Sequence, residues 1–353
     1  MKKILKSLPY LIGGLIGFLL AFFDLIPESW SGLAFILAII SFFVFIVLHV
    51  AIHELGHLVF GLLTGYKFGS IRLFSWMLIK DGETIKFRRM EVPGTLGQCL
   101  MVPPKGEFYF KLSILGGGIA NIVVALIPLF IAGFDSVYAW IFAVTGLFIG
   151  ISNLLPMSFN DGTTYRLANS SKEQKYLLYL QLQINYLTTQ GTTITELPEE
   201  YFELVPQIPQ RTYFNDWQEF LILSRKLFRH DWEGYQKGIE ELWVRKDELV
   251  LPYQIELKKE LLFCLSLTTP SDLRIKEIWS DKQLQQNLKM PLLGNDRIRA
   301  AYMFGVMKNN YGAQAILKEA KSKVDQSPNR GDALSELELF DELINYFKEG
   351  EKN

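Results

Sequence analysis

The residues best suited to chemistry sit together at His53-Glu54-Leu55-Gly56-His57. Two histidines four positions apart lie on one face of an α-helix, one turn apart. That spacing lets both imidazoles reach a single metal ion, with Glu54 between them as a general base toward an activated water. The surrounding sequence is apolar. An acidic group at the centre of a membrane helix costs roughly 2.5–3.5 kcal/mol on insertion scales. Such groups face a polar cavity or one another, and a shared metal is the simplest account of all three. His49 falls on the same face, but eight residues is about 12 Å along the axis. It cannot share an ion with His57 on a straight helix, and an interhelical hydrogen bond is the better reading.

The elements that must position these groups follow from where the charges lie. No Lys or Arg occurs from Ser7 to Tyr66 or from Leu112 to Tyr165, and both gaps are rich in Leu, Ile, Val, Phe and Gly. Residues 166–353 carry charges of both signs throughout. The chain therefore reads as a membrane half, 1–168, joined to a soluble half, 169–353. Four spans are expected, at about 8–26, 32–64, 109–132 and 137–156. The first is read as a retained span, since no small-residue cleavage site follows it. Lys2, Lys3 and Lys6 precede it, and eight Lys or Arg fall in 65–111, from Lys67 to Lys111. The connections 27–31 and 133–136 have none. The positive-inside rule then puts both termini and the 65–111 segment in the cytosol. A near-neutral net charge of -1 and scattered basic residues give no case for nucleic-acid binding. Cys99 and Cys264 fall in different regions and suggest neither a disulfide framework nor a Cys-rich zinc module.

Two His leave a zinc ion short of a third protein ligand. Asn153-Leu154-Leu155-Pro156-Met157-Ser158-Phe159-Asn160-Asp161-Gly162 follows at the end of the fourth span. With the intramembrane HExxH, this segment resembles the NxxPxxxxDG motif of the site-2 protease family of intramembrane zinc metalloproteases. The resemblance covers residues 32–166. It implies that His53, His57 and Asp161 bind zinc, that Glu54 is the catalytic base, and that Asn153 lines the active site. Gly116-Gly117-Gly118-Ile119-Ala120-Asn121 is similar to the family's small-residue turn followed by Asn, though the usual Pro is absent. Asn121 and Asn153 could each donate to a tetrahedral oxyanion, or simply bond between helices. The residues themselves allow Asp161 the plainer role of a helix cap. The substrates implied are small membrane proteins, signal-peptide remnants or membrane-anchored regulators.

Lys80-Asp81-Gly82-Glu83 is a turn signal, and Asp-Gly favours a type I′ hairpin, expected at 68–79 and 84–90. Its edge could pair with an extended substrate or merely cap the membrane part. The Pro- and Gly-rich run 92–104 cannot be a regular helix throughout and reads as a gate at the bilayer edge. Cys99 within it is a further conceivable zinc ligand in a latent state. From Lys172 on, 3.6-residue periodicity predicts helices at about 217–230, 232–248, 252–267, 296–308, 311–324 and 332–347. Paired helices suggest a tetratricopeptide-like array able to bind a peptide or protein partner, without a clean 34-residue period. The fold class is thus an all-α membrane protein with a cytosolic β-hairpin and a helical soluble domain. The rival functions are a non-catalytic membrane anchor with a structural metal site, and a transporter using its intramembrane polar residues.

Overall fold

A computed structural model describes residues 31–89, 95–106, 109–157, 159–327 and 329–349. The span expected at 8–26 lies outside these residues. The chain divides into two compact units, Met1–Asn169 and Ser170–Asn353.

In the first unit, α1 (Gly32–Leu63), α2 (Phe110–Ala132) and α3 (Val137–Leu154) are long and apolar enough to cross a membrane. α1 starts where the Ser31 hydroxyl accepts from Ala34 N at 3.3 Å, an N-cap that satisfies an otherwise orphaned donor. It ends at Gly65, whose φ of +86° turns the chain while Tyr66 N donates back to Gly61 O at 3.0 Å. At about 1.5 Å per residue its 32 residues are longer than a bilayer core is thick. The polarity of α1 is inside out. Ile36, Ile39 and Phe43 are exposed while His49, His53 and Glu54 are buried. Apolar faces turned outward over buried polar groups suit a membrane protein, whose solvent is lipid. The three helices pack on one another, and α1 meets α2 where Gly56 faces the Gly116 carbonyl, the close approach that small residues allow. The run 116–118 lies within α2 and is a packing surface, where a turn was expected.

Between α1 and α2 lies a four-stranded antiparallel sheet that contains a hairpin about the expected turn and extends it by two strands. Its strands are β1 (Lys67–Leu73), β2 (Trp76–Asp81), β3 (Thr84–Arg89) and β4 (Gly97–Val102), in the order β3-β2-β1-β4. The turn at Gly82-Glu83 forms as the sequence implies, although only Gly82 has positive φ, so it is not the I′ type, which needs two. The expected strand 68–79 is two strands, reversed at Phe74-Ser75 so that Leu73 pairs with Trp76. Phe74 takes φ +52° there without Gly, Asn or Asp to announce the turn. β4 occupies the run expected to be a gate and packs on α1.

α4 (Asp161–Ala168) closes the unit and packs on α2 and α3.

The second unit is helical: α5 (Lys172–Thr189), α6 (Tyr213–Phe228), α7 (Trp232–Val244), α8 (Leu251–Thr268), α9 (Leu273–Trp279), α10 (Lys282–Leu288), α11 (Leu293–Gly305), α12 (Asn310–Lys321) and α13 (Arg330–Glu349). α8 is its centre, with Leu257, Leu261, Leu262, Phe263 and Leu265 all buried. The last helix returns to the first. α13 packs against α5, and Asn329 Nδ2 donates to Thr188 Oγ1 at 3.1 Å. An open array has repeats that touch only their neighbours. This unit closes on itself, a bundle where a tetratricopeptide-like array was expected.

Candidate metal centre

Helical spacing places His53 and His57 on one face of α1, and their Nε2 atoms stand 3.1 Å apart. α4 delivers the third group. Asp161 Oδ2 lies 3.1 Å from His53 Nε2 and 3.4 Å from His57 Nε2. These three side chains are the one cluster of metal-ligating type among the described residues.

Asp161 reaches the imidazoles because Asn160 does the capping. The Asn160 carbonyl oxygen Oδ1 accepts from Thr163 N at 3.0 Å. Its Nδ2 donates to Ser152 O at 2.8 Å and Leu155 O at 2.6 Å. One side chain thus starts α4 and ties it to the end of α3. Asp161 at the next position is left free of capping duty. Asn160 stands inside the motif, but only its neighbours were singled out from sequence.

The three donors fit a divalent ion. Tetrahedral bonds of about 2.0–2.1 Å put neighbouring ligand atoms about 3.3 Å apart, and the three observed separations bracket that value. Asp161 Oδ2 is buried with no aligned hydrogen-bond donor. An acceptor so placed between two ring nitrogens costs free energy unless something positive lies among them. His57 Nδ1 donates to Ser113 O at 2.8 Å, which leaves the Nε2 lone pair of a neutral ring directed at the cluster. Room for both rings comes from Gly117 on α2. A Cβ there would stand 2.6 Å from His57 Nε2 and 2.7 Å from His53 Nε2.

Glu54 is buried beside the cluster under the first residue of β4. A Cβ on Gly97 would lie 2.4 Å from Glu54 Oε1. The approach of β4 is fixed by Arg72, a buried residue of β1. Its guanidinium donates to Phe74 O at 2.5 Å, to the Thr95 hydroxyl, and to Thr95 O and Gly97 O at 3.4 and 3.5 Å. The sequence marked Arg72 only as one of the basic residues of this connection. No single-sequence signal told it from the others.

The two asparagines part ways. Asn121 is fully buried and its side-chain amide bridges two histidines, one end 3.0 Å from His49 Nδ1 and the other 3.2 Å from His53 Nδ1. Asn153 Nδ2 donates within its own helix to Ile149 O at 2.9 Å. His49 makes the interhelical bonds its spacing implied, to Asn121 and, through Nε2, to Phe142 O at 3.0 Å. Cys99 pairs with Ile71 in the sheet and is not part of the cluster. Burial first, then the charge of Glu54, push its thiol up to about 12.

No family model, curated protein or solved structure matches the chain.

Proposed function

We propose that the chain is an intramembrane zinc endopeptidase of the site-2 protease type, with His53, His57 and Asp161 as ligands and Glu54 as base. The observation that supports this most is the convergence of donors from α1 and α4, which the two motifs alone imply and packing brings to coordination distances. Zinc is the metal favoured by the donor set, because two imidazoles with one carboxylate suit it better than they suit Mg²⁺ or Ca²⁺. Such an ion supplies Lewis acidity that activates water and polarises a carbonyl. Glu54 takes the proton of the attacking water and returns it to the leaving amine. Its burial beside the cluster keeps bulk water from competing for that proton. General acid–base catalysis of this kind contributes about 10²- to 10⁴-fold.

Among the described residues β4 is an edge strand with β1 as its one sheet neighbour, and it begins over Glu54. A substrate segment drawn out of its helix can add to that edge, with its scissile carbonyl near the base. The substrates are transmembrane or membrane-anchored peptides, met within a multi-pass protein whose termini are cytosolic by the charge rule. The helical unit is the surface for a peptide or protein partner, a role that rests on sequence alone.

The test uses wild type and Glu54→Gln, each purified with its metal and reconstituted with membrane proteins of the host. New peptide termini inside apolar segments with wild type, and none with the variant, are expected. Identical termini from both would refute the reading and leave the metal a structural role.

A further inference from the structure

His49 is fully buried and touches no metal donor. Its surroundings are nonetheless built for it. Gly146 of α3 leaves the space its ring fills, since a Cβ there would lie 2.1 Å from His49 Cε1. The ring of Phe142 packs on it at 4.3 Å between centroids. Three helices converge on this one side chain, and proton bookkeeping shows what they gain.

A carbonyl oxygen accepts only. The 3.0 Å contact to Phe142 O therefore fixes a proton on His49 Nε2. A neutral ring then has its lone pair on Nδ1, and Nδ1 needs a donor. Asn121 supplies one if its NH₂ faces His49. Its Oδ1 then faces His53 Nδ1 and must accept from it. Nitrogen and oxygen of an amide are assigned from the hydrogen-bond network, not observed, so the network decides. The opposite orientation protonates both nitrogens of a fully buried His49. It also leaves His53 protonated on Nε2, where the cluster requires a lone pair.

We infer that His49 is a positioning residue which, through Asn121, holds the proton of His53 on Nδ1 and so keeps Nε2 free as a metal donor. The relay runs from Phe142 O through His49 and Asn121 to His53, and its direction is set by one backbone carbonyl. His57 reaches the same state more simply, by donating Nδ1 directly to Ser113 O. The two ligands thus have separate devices for one purpose. The inference rests on the metal-centre reading above.

Zinc affinity of the full chain in detergent, measured by competition with a chromophoric chelator, tests it without recourse to proteolysis. His49→Leu should weaken binding by about 10- to 100-fold, the usual effect of losing an outer-shell partner. His49→Gln should restore it to within about threefold, because Gln can donate to Phe142 O and accept from Asn121. In an Asn121→Asp background the carboxylate accepts from His53 Nδ1 by itself, so adding His49→Leu should change affinity by less than about twofold. Wild-type affinity in His49→Leu, or equal loss in His49→Leu and His49→Gln, would overturn the relay while leaving the metal centre standing. Absence of zinc binding in the wild type would remove the centre, and the relay with it.

Discussion

The Nε2 atoms of His53 and His57 stand 3.1 Å apart with Asp161 Oδ2 completing the triangle. Three acceptors at that separation repel unless a cation joins them, so the site should bind metal tightly and lose it when one corner goes. Metal analysis of the purified chain should find about one zinc per molecule. Asp161→Ala should lower the content sharply, and Glu54→Gln should leave it unchanged. Equal zinc in wild type and Asp161→Ala would mean the metal is held elsewhere.

Asn160 makes a sharper test of how Asp161 is placed. Asn160→Asp keeps an oxygen for Thr163 N and so keeps the cap, but it cannot donate to Ser152 O or Leu155 O. Zinc affinity should fall while α4 persists. Asn160→Ala loses cap and tether together, and should add about 1 kcal/mol of destabilisation to the same metal defect. Chelator competition and thermal unfolding separate the two. If Asn160→Asp binds zinc as the wild type does, the tether is dispensable.

Gly117→Ala places a methyl 2.6 Å from His57 Nε2, where no real contact is tolerated. The ring must move, and metal affinity should drop by at least about tenfold, since outer-shell changes far milder than this cost 10- to 100-fold. Gly32→Ala meets nothing within 4 Å and is the matched control. X-ray absorption at the metal edge would register the lost imidazole directly.

How much of this was legible beforehand depends on the reach of each interaction. His53 and His57 are set by helical periodicity, a local rule, and were readable at once. Asp161 was readable through its motif, but its route to the site depends on Asn160 bonding two carbonyls at the end of α3, Ser152 O and that of the capping residue Leu155. The β1–β2 reversal was hidden because the positive φ falls on Phe74, where Gly, Asn or Asp would have announced it. That turn is imposed from outside, with Phe74 N donating to Leu96 O at 2.7 Å and Arg72 gripping Phe74 O. The Asn121 bridge joins residues 68 and 72 positions apart, and no sequence period reaches that far. In the helical unit, periodicity found the six long helices from α6 to α13, yet the contact of α13 with α5 that closes the bundle leaves no mark in spacing.

A pH effect on the helical unit should come from Asp332. Burial first, then the neighbouring charge of Glu336, raise its carboxyl to about 7. The folded state therefore holds a proton that the unfolded chain releases near pH 4. Stability contributed by this group is full below about pH 4 and falls as pH rises to about 7. Asp332 retains some exposure, so the loss is discounted to on the order of 2 kcal/mol. Hydrogen exchange in α13 should be slower at pH 5 than at pH 8 after correction for intrinsic rates. Asp332→Asn should flatten that dependence, and an unchanged slope in the variant would assign it to another group.

Arg297 holds the centre of the same unit together. It bonds Glu260 at 3.0 and 3.1 Å and Glu336 at 3.1 and 3.2 Å, all buried, and packs over the Phe263 ring at 4.4 Å. The ion triad is costly to bury, so its net worth against an apolar core is small. Removing only the cation is another matter, because two buried carboxylates then lose the guanidinium between them, and Glu260 keeps only the Tyr235 hydroxyl as a hydrogen-bond donor among the described residues. Arg297→Met should cost about 3–5 kcal/mol in unfolding of the helical unit. Replacing Glu260 and Glu336 by Gln in the same chain should recover most of that loss, since neutral amides need no counter-charge. Denaturant unfolding followed by tryptophan fluorescence would measure both. A triple variant no more stable than Arg297→Met would show that hydrogen-bond geometry, not charge balance, holds α8, α11 and α13 in register.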